Sequence, residues 1–209
     1  MKIHAFALST LVIVLVWANP SLAHHVMDGD IPRTFLHGFL SGLGHPVIGL
    51  DHLAFVVAVG LISFLYQNPY LPPFAFLTGM LGGVVLRLTS FELYLVELAI
   101  SGSVILLGGL AIRAKYVPMQ IVVCGFLIVG IFHGYAYGSS IVGAEVTPLA
   151  AYLIGLLAVQ YAIAAVVIKL LRLQADTNNS EVPKRVVGGI VLGIGLTFML
   201  ESLSTYSAL

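Results

Sequence analysis

The sequence predicts an all-α fold: a polytopic transmembrane helical bundle of about six spans with a short broken lead-in helix, preceded by a signal peptide. Three observations carry this. Of the 209 residues, 59% are hydrophobic and 9% charged, whereas a soluble domain carries about 25% charged residues. Apolar stretches recur at the length needed to cross roughly 30 Å of hydrocarbon. The first residues pair a positive charge, Lys2, with a short apolar run.

That run, Ala5 to Trp17, ends at Asn19-Pro20 and a small-residue Ser21-Leu22-Ala23 site, the pattern of a cleavable export signal. Residues 1–23 are therefore expected to be removed, leaving residues 24–209 as one transmembrane domain beginning His24-His25; an uncleaved anchor helix is the alternative. The spans are expected at 47–66, 72–89, 91–112, 117–137, 146–172 and 184–204. Turn-forming residues divide them: Asn68-Pro69 with Pro72-Pro73, Thr89-Ser90, Pro118, and Gly138-Ser139-Ser140. Only the polar run from Gln174 to Lys184 reads as a true loop. Residues 34–44 are apolar but too short to span, and Gly42, Gly44 and Pro46 interrupt them, so they read as a short helix or re-entrant piece leading into a first span that starts at Pro46.

Orientation follows from Lys and Arg in short loops. With the start outside, Arg113, Lys115, Lys169, Arg172, Lys184 and Arg185 fall on the cytoplasmic side and only Arg33 and Arg87 outside. The expected place is the bacterial cytoplasmic (inner) membrane, multi-pass, with both mature termini on the outer side. The lipid bilayer is thus one partner. Nucleic acid is not, because Lys+Arg and Asp+Glu balance at 9 each with no basic patch. Oligomeric state and protein partners are not legible. A lone cysteine, Cys124, excludes an intrachain disulfide and a thiolate-rich metal site.

Ionisable groups inside spans cost about 2.5–3.5 kcal/mol each on insertion scales, so their placement is informative. His45 stands at the mouth of the first span, with Asp51 and His52 within two turns of the outer surface. His133 lies just over one turn below the outer end of the fourth. Glu97, Glu145 and Glu201 map to the outer parts of the third, fifth and sixth, and His37 to the lead-in. Several groups at one depth point to one shared site rather than to separate braces. In His45-Pro46-Val47-Ile48-Gly49-Leu50-Asp51-His52 the two histidines are seven residues apart and share a face if the helix starts at Pro46. Asp51 either ligates or orients an imidazole. Imidazole with carboxylate and no thiolate suits Ni²⁺, Co²⁺, Zn²⁺ or Fe²⁺; a His–Asp pair bracing two helices is the plainer reading.

The second signal is Phe132-His133-Gly134-Tyr135-Ala136-Tyr137-Gly138. Gly130, Gly134 and Gly138 give a smooth face for close helix packing, with His133 beside it pointing into the bundle; a histidine bonded to a neighbouring helix is the alternative. Gly189 and Gly193 make a similar packing face. His24 and His25 either capture metal or form a merely polar terminus. Arg87 is expected to pair with Glu92 or Glu97, and Glu97 could equally neutralise the site.

Gly44-His45-Pro46 through Gly49-x-Asp51-His52 to Gly60, together with Phe132-His133-Gly134-Tyr135-Ala136, resemble the two signatures of the HupE/UreJ family of hydrogenase- and urease-accessory membrane proteins, regarded as nickel or cobalt permeases. The first is also similar to the H-x4-D-H element of larger nickel/cobalt transporters, with one residue more between its ends. The resemblance covers nearly the whole mature chain and puts the family's metal positions on His45, Asp51, His52 and His133. Where the family's second motif continues H-G-x-A-H-G-x-E, this sequence has Tyr137 for the second histidine and Ser139 or Ser140 for the glutamate, with Glu145 a few residues later.

The resulting expectation is a permease that takes Ni²⁺ or Co²⁺ from the outer side as a transported ion. The accessory candidates are His24, His25, His37, Glu97, Glu145 and Glu201. No permanent cofactor and no enzyme activity are expected, and no phosphate-binding Gly-Lys-Ser/Thr loop suggests nucleotide hydrolysis. The rivals are an intramembrane metal-dependent enzyme, with Glu97 or Glu201 as base, and a structural membrane subunit. Neither an H-E-x-x-H pair nor a serine nucleophile motif supports the enzyme.

Overall fold

In the computed structural model, residues 31–113, 117–175 and 181–207 are described, with the side chains of 174–183 left aside. They form seven helices and no strand: α1 Phe35–Ile48, α2 Leu50–Ser63, α3 Leu71–Leu88, α4 Val96–Arg113, α5 Met119–Ser139, α6 Val146–Ala175 and α7 Glu181–Ser207. The last five are each long and apolar enough to cross a membrane; α1 and α2 together make the sixth candidate, broken by an 80° bend.

That bend corrects the expected first span. The helix does not start at Pro46, which instead lies inside the last turn of α1. Proline supplies no N–H to the carbonyl four residues back and crowds it, and Gly49 then turns extended (φ −71°, ψ 104°) before α2 begins at Leu50. A Cβ at position 49 would stand 2.9 Å from His52 Cδ2 and 3.4 Å from Asp51 Oδ1, so the tight corner suits glycine. The third span also starts later than expected, at Val96 rather than residue 91. The intervening loop places Ser90 and Leu95 at positive φ (61° and 58°), so Thr89-Ser90 begins a real loop and not a tight divider.

α2 is the central post. Phe55, Val56, Ala58 and Val59 on it are almost fully buried, and three helix pairs surround it, each closed by glycine. In the α3–α5 pair, a Cβ at Gly79, Gly83, Gly130 or Gly134 would collide with a backbone carbonyl of the partner (Leu127, Ile131, Phe76 and Met80 in turn). In the α1–α6 pair, Gly38 and Gly42 face the carbonyls of Pro148 and Tyr152, and Gly155 that of Phe39. The α4–α7 pair meets through Gly108, Gly188 and Gly195. Such close backbone approach is what small residues supply in lipid, where the hydrophobic effect no longer drives helices together. The expected stripe Gly130-Gly134-Gly138 is indeed a packing face. Gly189 and Gly193 are not: a Cβ at either meets nothing within 4 Å, because α7 presents the neighbouring face, with Gly188 and Gly195, to α4.

Candidate functional site

The α1–α2 corner, the last turns of α5 and the second turn of α6 meet at one end of the bundle. His45 leaves the C-terminal turn of α1, while Asp51 and His52 leave the first turn of α2. His133 enters from α5, set inward by the glycine face beside it. All four are buried, with 4% exposure for His45, 1% for Asp51, 3% for His52 and 0% for His133.

The geometry centres on His52. Its Nδ1 lies 3.3 Å from His133 Nδ1, and its ring centroid lies 5.4 Å from that of His133 and 6.0 Å from that of His45. The tyrosine at position 137, where the family pattern has a second histidine, packs between the two histidine-bearing helices: its ring is 4.4 Å from His52 and 4.9 Å from His45. Phe55, one turn below His52, lies against His133 at 4.1 Å, and Phe76 meets the same imidazole edge-on at 5.6 Å.

The hydrogen-bond network assigns one consistent set of imidazole tautomers. Ser103 Oγ donates to the Ile100 carbonyl at 2.6 Å, so at its 3.2 Å contact with His133 Nε2 it accepts, and His133 carries its proton on Nε2. His133 Nδ1 is then an acceptor, and the proton in the imidazole–imidazole bond belongs to His52 Nδ1. His52 Nε2 is left with its lone pair. On the other side, His45 Nδ1 is 2.8 Å from the Tyr152 hydroxyl and 3.4 Å from Ser140 Oγ, and Tyr152 also reaches the Tyr137 carbonyl at 3.3 Å.

Two groups stand outside this satisfied network, Asp51 and the Tyr137 hydroxyl. The Oδ1 of Asp51 is buried without a hydrogen-bond partner, as is that hydroxyl. A buried carboxylate without compensation costs several kcal/mol, and the first turn of α2, with its unsatisfied N–H groups, offsets only part of that. Among the described residues no group of three His, Cys, Asp or Glu side chains stands ready to hold one metal ion; an ion at this place requires the imidazoles to turn from their present partners.

The accessory candidates do not join the cluster. His37, Glu97 and Glu145 are exposed. Glu201 is half-buried with Oε2 unpartnered, on a helix that packs against the other side of α4. His24 and His25, like the expected signal segment, lie outside the described residues. Arg87 pairs with neither Glu92 nor Glu97. Its Nε donates to Ser139 Oγ at 3.0 Å, its guanidinium lies over the Tyr135 ring at 5.3 Å, and Glu92 instead accepts from Tyr94 at 3.0 Å. Sequence reading missed Ser103 and Tyr152, and noted Ser140 only where the family pattern has a glutamate. Hydroxyl groups carry no charge to flag them in a span, and only a depth map that included them would have set Tyr152 level with His45.

Comparison with known proteins agrees with the motif resemblance. The family profile described as HupE / UreJ protein matches residues 12–198. The chain is 32% identical over 187 residues to Protein HupE of Rhizobium leguminosarum bv. viciae, covering 88% of this chain and 93% of that protein. No solved structure matches.

Proposed function

The chain belongs to the HupE/UreJ family, and on that premise we propose that it is a permease for a divalent transition-metal ion, nickel or cobalt, which enters from the outer side through His45, Asp51, His52 and His133. The observation that carries the reading is the buried Asp51 side chain, whose Oδ1 has no hydrogen-bond partner, next to His52 in a corner crowded with imidazoles. A carboxylate held there without a cationic partner is costly; a passing cation supplies the missing charge.

Distances support it. The Nδ1 atoms of His52 and His133 are 3.3 Å apart, near enough for both rings to reach one ion once they turn from each other. Binding there needs the Nδ1 lone pair of both neutral rings, so His52 shifts its proton from Nδ1 to Nε2 as the rings turn toward the ion. The break at Gly49 contributes as well. It ends α1 beside the site, where the last carbonyls of a helix carry partial negative charge, and broken helices whose C-terminal ends face a cation recur in transporters. No step breaks a covalent bond, so the reading assigns no enzyme activity. The basic residues support this orientation: Arg113, Lys169, Arg172, Lys184 and Arg185 lie toward the opposite ends of their helices from the site, and such residues favour the cytoplasmic side.

Purified protein in liposomes is expected to accumulate nickel-63 or cobalt-57 from outside, and binding is expected to raise its melting temperature. Absence of both would leave only the structural reading, in which the histidines hold helices together. Ser103 gives a finer check. Ser103→Ala removes the acceptor that fixes the His133 tautomer, and outer partners of this kind are worth roughly 10–100-fold in metal affinity. Titration of nickel should show that loss, with Ser103→Thr restoring most of it.

A further inference from the structure

α3 ends in an arginine that the histidine corner leaves unused. The helix is 18 residues long, about 27 Å at 1.5 Å per residue, close to the hydrocarbon thickness of about 30 Å. Arg87, in its last turn, therefore stands at the membrane boundary. Its Cβ packs at Gly138, next to Tyr137, so this is the end of the bundle that holds the imidazoles. The side chain is half-buried and meets no carboxylate among the described residues.

Two donors here are left unspent. Arg87 Nε donates to Ser139 Oγ at 3.0 Å, and Nη1 makes a long 3.5 Å contact with the Tyr135 hydroxyl; a guanidinium has more N–H groups than these contacts use. The Tyr135 oxygen also accepts from the Leu93 N–H at 3.2 Å, and its own hydrogen has no acceptor among the described residues. Ser139, by contrast, is satisfied, because its Oγ also donates to the Tyr135 carbonyl at 3.3 Å. The buried Tyr135 ring holds the guanidinium that lies over it at 5.3 Å. A fixed cation and a hydroxyl thus converge where α3 meets α5, and both call for an anion.

The surroundings are those of a lipid. Val85 and Leu88 on α3, and Phe91, Tyr94 and Leu95 in the loop that follows, are all exposed. Exposed aromatic rings at this depth form the belt that sits among headgroups, and the aliphatic pair offers apolar surface to an acyl chain. Glu92, the carboxylate of that loop, accepts from the Tyr94 hydroxyl at 3.0 Å. Basic pockets between transmembrane helices take up lipid headgroups, and a planar guanidinium matches phosphate through paired N–H bonds. We propose that Arg87 and Tyr135 hold the phosphate of a membrane lipid, which ties α3 to α5 beside the histidine corner. The inference is independent of which ion that corner takes.

Purified protein in detergent tests this. Phosphatidylglycerol is expected to stay bound in native mass spectrometry and to raise the melting temperature. Diacylglycerol with the same acyl chains, and soluble glycerol phosphate, should do neither. Arg87→Gln is expected to bind phosphatidylglycerol at least tenfold more weakly, the loss of a charge-assisted hydrogen bond, and Tyr135→Phe about fivefold more weakly, that of a neutral one. Arg33→Gln, at an exposed arginine, should match wild type. Equal affinity in wild type, Arg87→Gln and Tyr135→Phe, each confirmed folded by size exclusion, would overturn the site. Stabilisation by diacylglycerol would show that acyl chains alone suffice, and stabilisation by glycerol phosphate that the anion is a soluble one; either result overturns the lipid phosphate.

Discussion

His52→Ala is expected to abolish uptake, lowering the rate at least a hundredfold, while the protein still inserts and purifies as a folded bundle. His52 is the member that touches the others: 3.3 Å from His133 by its Nδ1, 6.0 Å from His45 and 4.4 Å from Tyr137 by ring centroids. On the proposed reading, its removal takes away one ligand and leaves the others without a common centre. Loss of a positioning partner alone costs about 10–100-fold in affinity, so loss of the central ligand costs at least the upper end. The fold should survive, because the three helix pairs close through glycine contacts that do not involve position 52. His37→Ala is the control: His37 is exposed, and uptake by that variant should match wild type.

Gly42→Val is expected to act from a distance on both stability and binding. A side chain at position 42 would collide with the Tyr152 carbonyl and stand 2.9 Å from the Leu156 nitrogen. Backbone cannot rotate away as a side chain can, so α1 must lift off α6. Overpacking of this kind costs about 3 kcal/mol, or a drop of roughly 6–12 °C in melting temperature for a chain of this size. The same displacement pulls His45 away from Tyr152, whose hydroxyl lies 2.8 Å from its Nδ1, and nickel affinity should fall about tenfold through that lost positioning. Gly82→Val, at a glycine whose Cβ would meet nothing within 4 Å, should leave melting and binding nearly unchanged. Equal effects at positions 42 and 82 would show that α1 does not position the site.

How the site was legible differs from residue to residue. His133 was readable because the glycine face beside it points to a packed interface, although nothing in the sequence named α3 as the partner. His45 and His52 were readable as a pair for a reason that the structure replaces. On one straight helix, seven residues separate them by about 10.5 Å along the axis, too far for one ion. The 80° bend at Gly49 folds that distance back to 6.0 Å between rings. The kink signals, Pro46 and Gly49, were visible; that the chain turns after the proline rather than starting there is decided by the docking of α1 on α6. Charge drew notice to Glu97 and Glu145, yet both are exposed. Ser103 and Tyr152, whose hydroxyls bond two of the histidines, drew none, because a hydroxyl can satisfy itself on a nearby carbonyl as Ser103 does on Ile100. The Gly189–Gly193 stripe misled for a related reason, since periodicity identifies a smooth face but not whether a partner covers it.

X-ray absorption at the nickel edge of the loaded, purified protein tests the pocket most directly. The spectrum is expected to show at least two imidazole nitrogens at about 2.0–2.1 Å, with an imidazole contribution that falls in both His52→Ala and His133→Ala. A shell of oxygen alone, or an imidazole signal that both variants leave unchanged, would mean that the buried histidines are braces between helices and that the cation binds elsewhere.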